Sequence, residues 1–308
     1  MEGIEPKERS MKPSTKAIFR RHGLRLDRAL HNWVYFVFYT PYVKAAYKAI
    51  NLVERRLTGL PLVGFLAGAV FERYHSKVLS FEDAKKILLL DKDLVLGYDS
   101  AKRIIPYKYA NKLVIKNPSL IAVMDCPCKK ASKAPCEPVG SCIAVGEDFA
   151  PLWLEHCAHN NVRQITSNEA LAIIKTMRAS GHIQQAFLKV GTGGVTGVIC
   201  NCCPKCCASL AATRVAKQID PSLSMNAQSG YSVKARPDLC RQCGACQDAC
   251  PFDAMRMTEH GRLYNKDSCM GCGLCVDACP NKALSLYADS RKLMPLDIDT
   301  ARAALEKN

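Results

Sequence analysis

The sequence predicts an α+β protein in three parts: an N-terminal helical segment, a mixed α/β region rich in cysteine, and a small C-terminal unit built on an internal repeat. Three observations carry this reading. Between residues 79 and 235, helix-start signals alternate with short apolar runs. The 18 cysteines of the 308-residue chain fall in tight runs. The last of those runs occurs twice at one spacing.

Residues 1–78 form the first part. The opening ten are polar, and the basic stretch KAIFRRHGLRLDRAL follows. Residues 1–56 hold 12 Lys/Arg against 5 Asp/Glu, nearly half of the chain's formal charge of +15. An aromatic run then extends from Trp33 to Val43, and a second apolar run, Leu57 to Phe71, is rich in small residues. Neither reaches the roughly 18 to 20 uninterrupted apolar residues that span a bilayer. No small-residue cleavage site follows them, which argues against a cleaved signal. Two readings stay open for residues 15–75: an amphipathic hairpin at a membrane interface or partner surface, or helices packed on the core. Six aromatics between Trp33 and Tyr42 favour the interface, where Trp and Tyr concentrate.

Residues 79–235 are the cysteine-rich α/β part. Ser80-Phe-Glu-Asp83 opens a helix over AKKILLL, and Thr166-x-x-Glu169 opens another over ALAIIKTMRAS that Gly181 ends. Leu120–Met124 and Val195–Ile199 read as strands, each leading into cysteines. The polar stretch Pro221–Pro237 marks a boundary near residue 235.

Beyond it stand Cys240-x2-Cys243-x2-Cys246-x3-Cys250-Pro251 and Cys269-x2-Cys272-x2-Cys275-x3-Cys279-Pro280. Three cysteines at this spacing can wrap one iron–sulfur cubane while the fourth reaches another. Zinc sites use paired C-x2-C knuckles instead, so a third cysteine followed by Cys-Pro fits them poorly. Residues 236–288 resemble the bacterial dicluster ferredoxins. The resemblance implies two [4Fe–4S] clusters, one on Cys240, Cys243, Cys246 and Cys279, the other on Cys269, Cys272, Cys275 and Cys250. The fold expected for the whole chain is therefore this ferredoxin-type domain, residues 236–290, appended to the Cys-rich α/β domain, with a tail at 291–308. Between the repeats, Met255–Tyr264 reads as a hairpin turning at His260-Gly261.

Ten cysteines remain. Cys126, Cys128, Cys136 and Cys142 form one candidate metal site, and Cys200, Cys202, Cys203 and Cys206 a second; the two loops sharing one site is the alternative. Cys207 extends the second run, and Cys157 stands alone. One or two further iron–sulfur clusters are expected here, with structural zinc or unliganded thiols as the other outcomes. This region loosely resembles the extra N-terminal domain of some ferredoxin-domain proteins of anaerobes, which implies no activity. His156 and His159 flank Cys157 but read as ordinary surface or core histidines. Lys129-Lys130 reads equally as a solvated pair or as an offset to cluster charge. Gly191-Thr-Gly-Gly194 lacks the phosphate-loop pattern and reads as a turn.

Clustered cysteines point to a reducing, cytoplasmic setting, with peripheral attachment to the inner face of the cytoplasmic membrane as the alternative. Two clusters would lower the net charge by about four and leave the protein basic. That balance points to an acidic redox partner protein or an anionic membrane surface. Nucleic acid is disfavoured, because the aromatics form one block apart from the basic residues. The expected function is transfer of single low-potential electrons between redox partners, by a carrier or oxidoreductase subunit more than by a stand-alone enzyme. The alternative is an electron-feeding, substrate-binding reductase subunit with its own site in the N-terminal cysteine-rich domain.

Overall fold

The computed structural model describes residues 11–96, 104–105, 113–189, 196–296 and 298–299. The glycine loop 191–194 lies outside them. Four helices come first: α1 (Pro13–His22), α2 (Leu26–Val37), α3 (Tyr39–Arg56) and α4 (Pro61–Phe71). Helix α1 buries Ser14, Thr15, Ile18 and His22 and leaves Lys12, Lys16 and Arg20 in water. Its buried face is anchored by Ser14, whose hydroxyl donates to the Glu155 carboxylate at 2.5 Å.

The aromatic run turns inward. Tyr35, Phe36 and Tyr39 are buried and Tyr42 is half-buried. Their rings stack on one another, with Tyr35 at 4.5 Å from Tyr39 and 4.9 Å from Tyr42. Helix α4 behaves differently. It is apolar on every side, and Leu62, Phe65, Leu66 and Val70 stay exposed. The two apolar runs therefore have separate fates: the first is core, the second faces outward. Among the described residues no helix is long and apolar enough to cross a membrane.

The middle of the chain contributes β1 (Tyr74–Leu79), α5 (Phe81–Leu88), β2 (Leu94–Leu96), β3 (Leu113–Ile115), β4 (Ile121–Asp125) and α6 (Pro127–Ala131). It continues with β5 (Gly140–Val145), α7 (Ala150–His156), β6 (Arg163–Ile165), α8 (Ser167–Ala179), β7 (Ile183–Lys189), β8 (Thr196–Cys202), α9 (Ala208–Ile219) and β9 (Asn226–Ala227). Seven of these strands form one sheet in the order β6-β4-β5-β8-β7-β1-β9, antiparallel throughout except for the β1–β9 pair. Both expected helix caps form. Ser80 Oγ accepts from Asp83 N at 3.1 Å and Thr166 Oγ1 from Glu169 N at 3.2 Å, each worth about 1 kcal/mol.

Both faces of the sheet are covered, which explains why its strands read as unbroken apolar runs. Ile121, Val123, Ile143, Val145 and Ile199 point to one face and pack with α5 and α8. Their alternate neighbours Ala122, Met124, Cys142, Ala144 and Val198 point to the other, beneath α2, α3 and α7.

The C-terminal unit holds β10 (Tyr231–Ala235), α10 (Ala245–Asp248), β11 (Met255–Thr258), β12 (Gly261–Tyr264), α11 (Leu274–Asp277) and β13 (Leu284–Ala288). Strands β11 and β12 make the expected hairpin, with Thr258 opposite Gly261. Strand β10 pairs with β13, so the polar stretch before residue 237 already contains the unit's first strand. The chain after β13 returns to the middle of the molecule, where Leu296 and Ile298 are buried in the α5/α8 core.

Arg178, at the end of α8, joins the two halves. Its side chain is 5% exposed and donates to Asp277 Oδ2 at 2.7 Å, to Gln184 Oε1 at 2.7 Å and to the Cys272 carbonyl at 3.1 Å. Gln184 passes the network to Asn201, and Asn201 to the Ser141 carbonyl. Replacing Arg178 with Met leaves Gln184 and the Cys272 carbonyl without their donor. A loss on the order of 3 kcal/mol is expected in anaerobic denaturant unfolding; a change within experimental error would show that the network does not hold the halves together.

Candidate metal centres

In the C-terminal unit, Cys250, Cys269, Cys272 and Cys275 line one small internal cavity, together with Val233, Phe252 and Met270. The first repeat thus lends one cysteine to the second. Gly273 and Gly244 adopt left-handed backbone (φ +82° and +80°) just before α11 and α10 and turn the chain around the sulfurs. Gly271 is also left-handed, and a Cβ there would collide with Ser229 and with the Tyr231 carbonyl. The Cys279 sulfur accepts from Ala283 N at 3.3 Å. Burial pushes the Cys272 thiol up to about 11 and the Cys275 thiol further. Thiolates there need a cation, which an iron cluster supplies. No three of the eight sulfurs lie mutually within 4.8 Å, which suits a polynuclear cluster better than one ion. The two sets differ in exposure: Cys243 is exposed and Cys240, Cys246 and Cys279 are half-buried, whereas Cys269, Cys272 and Cys275 are buried.

The N-terminal cysteines meet on the α2/α3 face of the large sheet. Strand pairing sets Cys142 of β5 opposite Cys200 of β8, and Cys202 follows on the same face of β8. Cys126 enters from the N-cap of α6, Cys128 from its first turn, and Cys207 from the N-cap of α9. Six sulfurs close a ring in the order Cys126, Cys128, Cys207, Cys202, Cys200, Cys142, each in contact with its two neighbours. Hydrogen bonds around the ring alternate in effect. Donation from flanking thiols lowers Cys126, Cys200 and Cys207, Cys200 to about 6. The partners that donate, Cys128, Cys142 and Cys202, are raised. Here too no three sulfurs are mutually within 4.8 Å, so the ring is open at its centre. A ring of thiols of this kind could hold a polynuclear metal centre.

The ring forms the floor of a cavity of about 490 Å³. Its walls are apolar side chains of α3, α4 and α9, among them Ile50, Val53, Leu66 and Val215, and Tyr35 and Tyr39 stand beside the sulfurs. Burial raises both phenols well above the ordinary tyrosine range.

Both four-cysteine groupings expected from the sequence are redistributed. Cys136 leaves the first and Cys203 and Cys206 leave the second; these three meet one another, and His182 joins them. Cys207, outside both groupings, takes a place in the ring. The reason is local geometry. Consecutive residues point in different directions, so Cys202 and Cys207 join the ring while Cys203 and Cys206, inside the intervening turn, meet Cys136; all four line one cavity. His182 carried no motif in the sequence. Its one signal was its position directly after Gly181, the residue that ends α8 with left-handed backbone.

The remaining candidates have other partners. Cys157 is buried against the α2 backbone, its thiol 3.6 Å from the Phe36 carbonyl. His156 bonds to the Thr15 hydroxyl at 3.0 Å, and His159 is exposed. The lysine pair divides: Lys130 is half-buried, while Lys129 is buried, donating to the Pro138 carbonyl at 2.6 Å. None of the 18 cysteines, all described, is in a disulfide.

Among known protein families, the 4Fe-4S dicluster domain matches residues 232–280. The match covers the C-terminal unit alone, which is a dicluster domain holding two [4Fe–4S] clusters. No curated protein matches the chain.

Iron and acid-labile sulfide on anaerobically assembled protein are expected to exceed the roughly eight irons of two such clusters. Cys207→Ser should remove the excess and keep the eight, and Cys157→Ser should change neither. A wild-type content of eight, or equal losses in both variants, would count against metal in the ring.

Proposed function

We propose that this chain is an iron–sulfur relay in which single low-potential electrons move between a redox partner at the exposed edge of the dicluster domain and a metal centre in the six-thiol ring. The observation that carries it is one shared apolar cluster. Cys272, a ligand of the inner ferredoxin set, is packed in it with ring cysteines Cys202 and Cys207, through Met270, Leu274 and Leu210. The gradient of burial gives the order. Cys243 meets solvent, while Cys269, Cys272 and Cys275 lie inside and pack toward the ring. The general electron-transfer role belongs to the dicluster domain itself. Its direction, partner and potential are our reading, the last on the ground that bacterial-type clusters sit toward the low end of the range.

This order is tested by following reduction of the ring-dependent spectroscopic signal after mixing with a protein reductant. Cys275→Ser disables the inner ferredoxin set and leaves the ring residues intact. Slower reduction of the ring signal at unchanged ring iron is the expected result; an unchanged rate would mean that electrons reach the ring by another route.

The cavity favours a second reading, in which the N-terminal domain has a substrate site of its own. Its volume lies within the usual range for small-molecule sites, and its apolar walls suit an apolar electron acceptor rather than a charged one. Ala212→Trp, on the α9 wall, should exclude such a molecule while iron content and cluster potentials stay as in wild type. Turnover that survives the tryptophan would overturn this reading.

For docking, the exposed apolar side chains of α4 lie beyond Arg55 and Arg56 at the end of α3, both exposed. Apolar tip and basic collar together fit an anionic lipid surface at the cytoplasmic membrane, with an acidic partner protein as the other occupant. Flotation with anionic vesicles should weaken as salt rises and be lost in a Leu62→Glu, Phe65→Glu double variant. Binding equal to that of neutral vesicles would argue for the protein partner.

A further inference from the structure

The cysteines that the ring leaves out have a geometry of their own. Cys136, in the loop between α6 and β5, places its sulfur 3.4 Å from His182 Nε2 and 3.4 Å from the Cys206 sulfur. The Cys203 sulfur joins them: it, the Cys136 sulfur and His182 Nε2 all lie within 4.8 Å of one another, the one such trio among the described residues. The ferredoxin cysteines and the ring cysteines both keep their sulfurs too far apart for one ion to touch three of them. Here two sulfurs and a ring nitrogen do come together, and the Cys206 sulfur lies against that of Cys136. A tetrahedral zinc with bonds of about 2.3 Å to sulfur and about 2.0 Å to nitrogen sets its ligand atoms roughly 3.5 to 3.8 Å apart.

Two further features belong to single-ion sites. Cys203-Pro-Lys-Cys206 is a C-x2-C knuckle: Cys206 N and Cys207 N donate to the Cys203 carbonyl at 3.2 and 3.0 Å, and the amides of Lys205 and Cys206 turn toward the Cys203 sulfur. His182 is 2% exposed, and its other ring nitrogen, Nδ1, is 3.0 Å from the Met177 carbonyl. That bond places the proton on Nδ1 and leaves the Nε2 lone pair facing the sulfurs, as the outer partner of a metal-bound histidine does. The backbone prepares it: Gly181 turns left-handed at the end of α8, and His182 N also donates to the Met177 carbonyl at 3.0 Å.

We infer that Cys136, His182, Cys203 and Cys206 bind one zinc ion, separate from the clusters of the dicluster domain and from the centre in the ring. Three thiolates and one neutral imidazole give a closed set with no position for substrate, so the ion is structural. It ties together the Cys136 loop, the end of α8 and the knuckle before α9. The knuckle lies between ring cysteines Cys202 and Cys207, so fixing it also fixes the span between them.

The test is metal analysis of the anaerobically purified full chain by plasma mass spectrometry, with X-ray absorption at the zinc edge. About one zinc per chain, with three sulfur and one nitrogen neighbours, is expected. His182→Ala should lose that zinc and keep the wild-type iron. Cobalt added to zinc-depleted protein should give tetrahedral thiolate–cobalt bands that Cys136→Ser abolishes. Iron-loaded protein with no zinc and no cobalt bands overturns the site. So does a mononuclear iron signal lost in His182→Ala, or a zinc edge with oxygen and nitrogen neighbours only.

Discussion

The antiparallel pairing of β5 with β8 is the constraint on which the rest depends. It sets Cys142 across from Cys200 and fixes which residues of both strands face α3. A slip of one residue would send Asn201 to the cysteine face and Cys200 and Cys202 to the face packed by α8. Because the register holds, Asn201 instead sits in the Arg178–Gln184 network on that other side. The same register thus builds a thiol ring on one face and the polar link to the ferredoxin unit on the other. Gathering six sulfurs without a cation would oppose folding whenever they ionise, so a metal bound in the ring, as proposed, would be coupled to folding.

Separating thiols of different duty is done by small changes of backbone direction. The pairs Cys202–Cys203 and Cys206–Cys207 each divide between two sites, although the residues in each pair are covalent neighbours. A turn as tight as Cys203–Cys207 makes that possible. It returns the chain to the strand face within four residues and holds an independent knuckle in between. The ferredoxin unit uses another device for its inner set: Cys250 comes from the other repeat, so that cavity cannot form unless the two repeats pack. One strategy divides neighbours and the other joins distant residues, and both rest on left-handed glycines or knuckle amides near sulfur.

The N-terminal helices act as a lid. Aromatics of α2 and α3 stand beside the ring, while α4 lines the cavity above it with side chains that also face solvent. A helix apolar on all sides is stable in that place only with something apolar on both of its faces. On the inner face that is the cavity wall; the outer face is the surface that the proposed lipid contact would cover. The exposed basic side chains of α1 and α3 line the same end of the chain and set the sign of the surface around it.

Repeat spacing alone made the dicluster domain legible, because C-x2-C-x2-C-x3-C-P states a ligand set in local sequence. The helix starts at Ser80 and Thr166 and the stop at Gly181 were legible for the same reason: caps are local hydrogen bonds between residues three apart. The strands were legible as apolar runs, but not their order, since burial on both faces erases the alternation that would show it. The N-terminal cysteines announced metal by number and gave no sign of how they divide. That was decided by strand register and by one turn, which bring residues some 70 positions apart into contact and point adjacent ones away from each other. The aromatic run shows the same limit. Its composition favours an interface, and the packing of α2 and α3 instead turns Tyr35, Phe36 and Tyr39 into the core. His182 was beyond reach of the sequence altogether, because a single histidine becomes a ligand only through what the fold places around it.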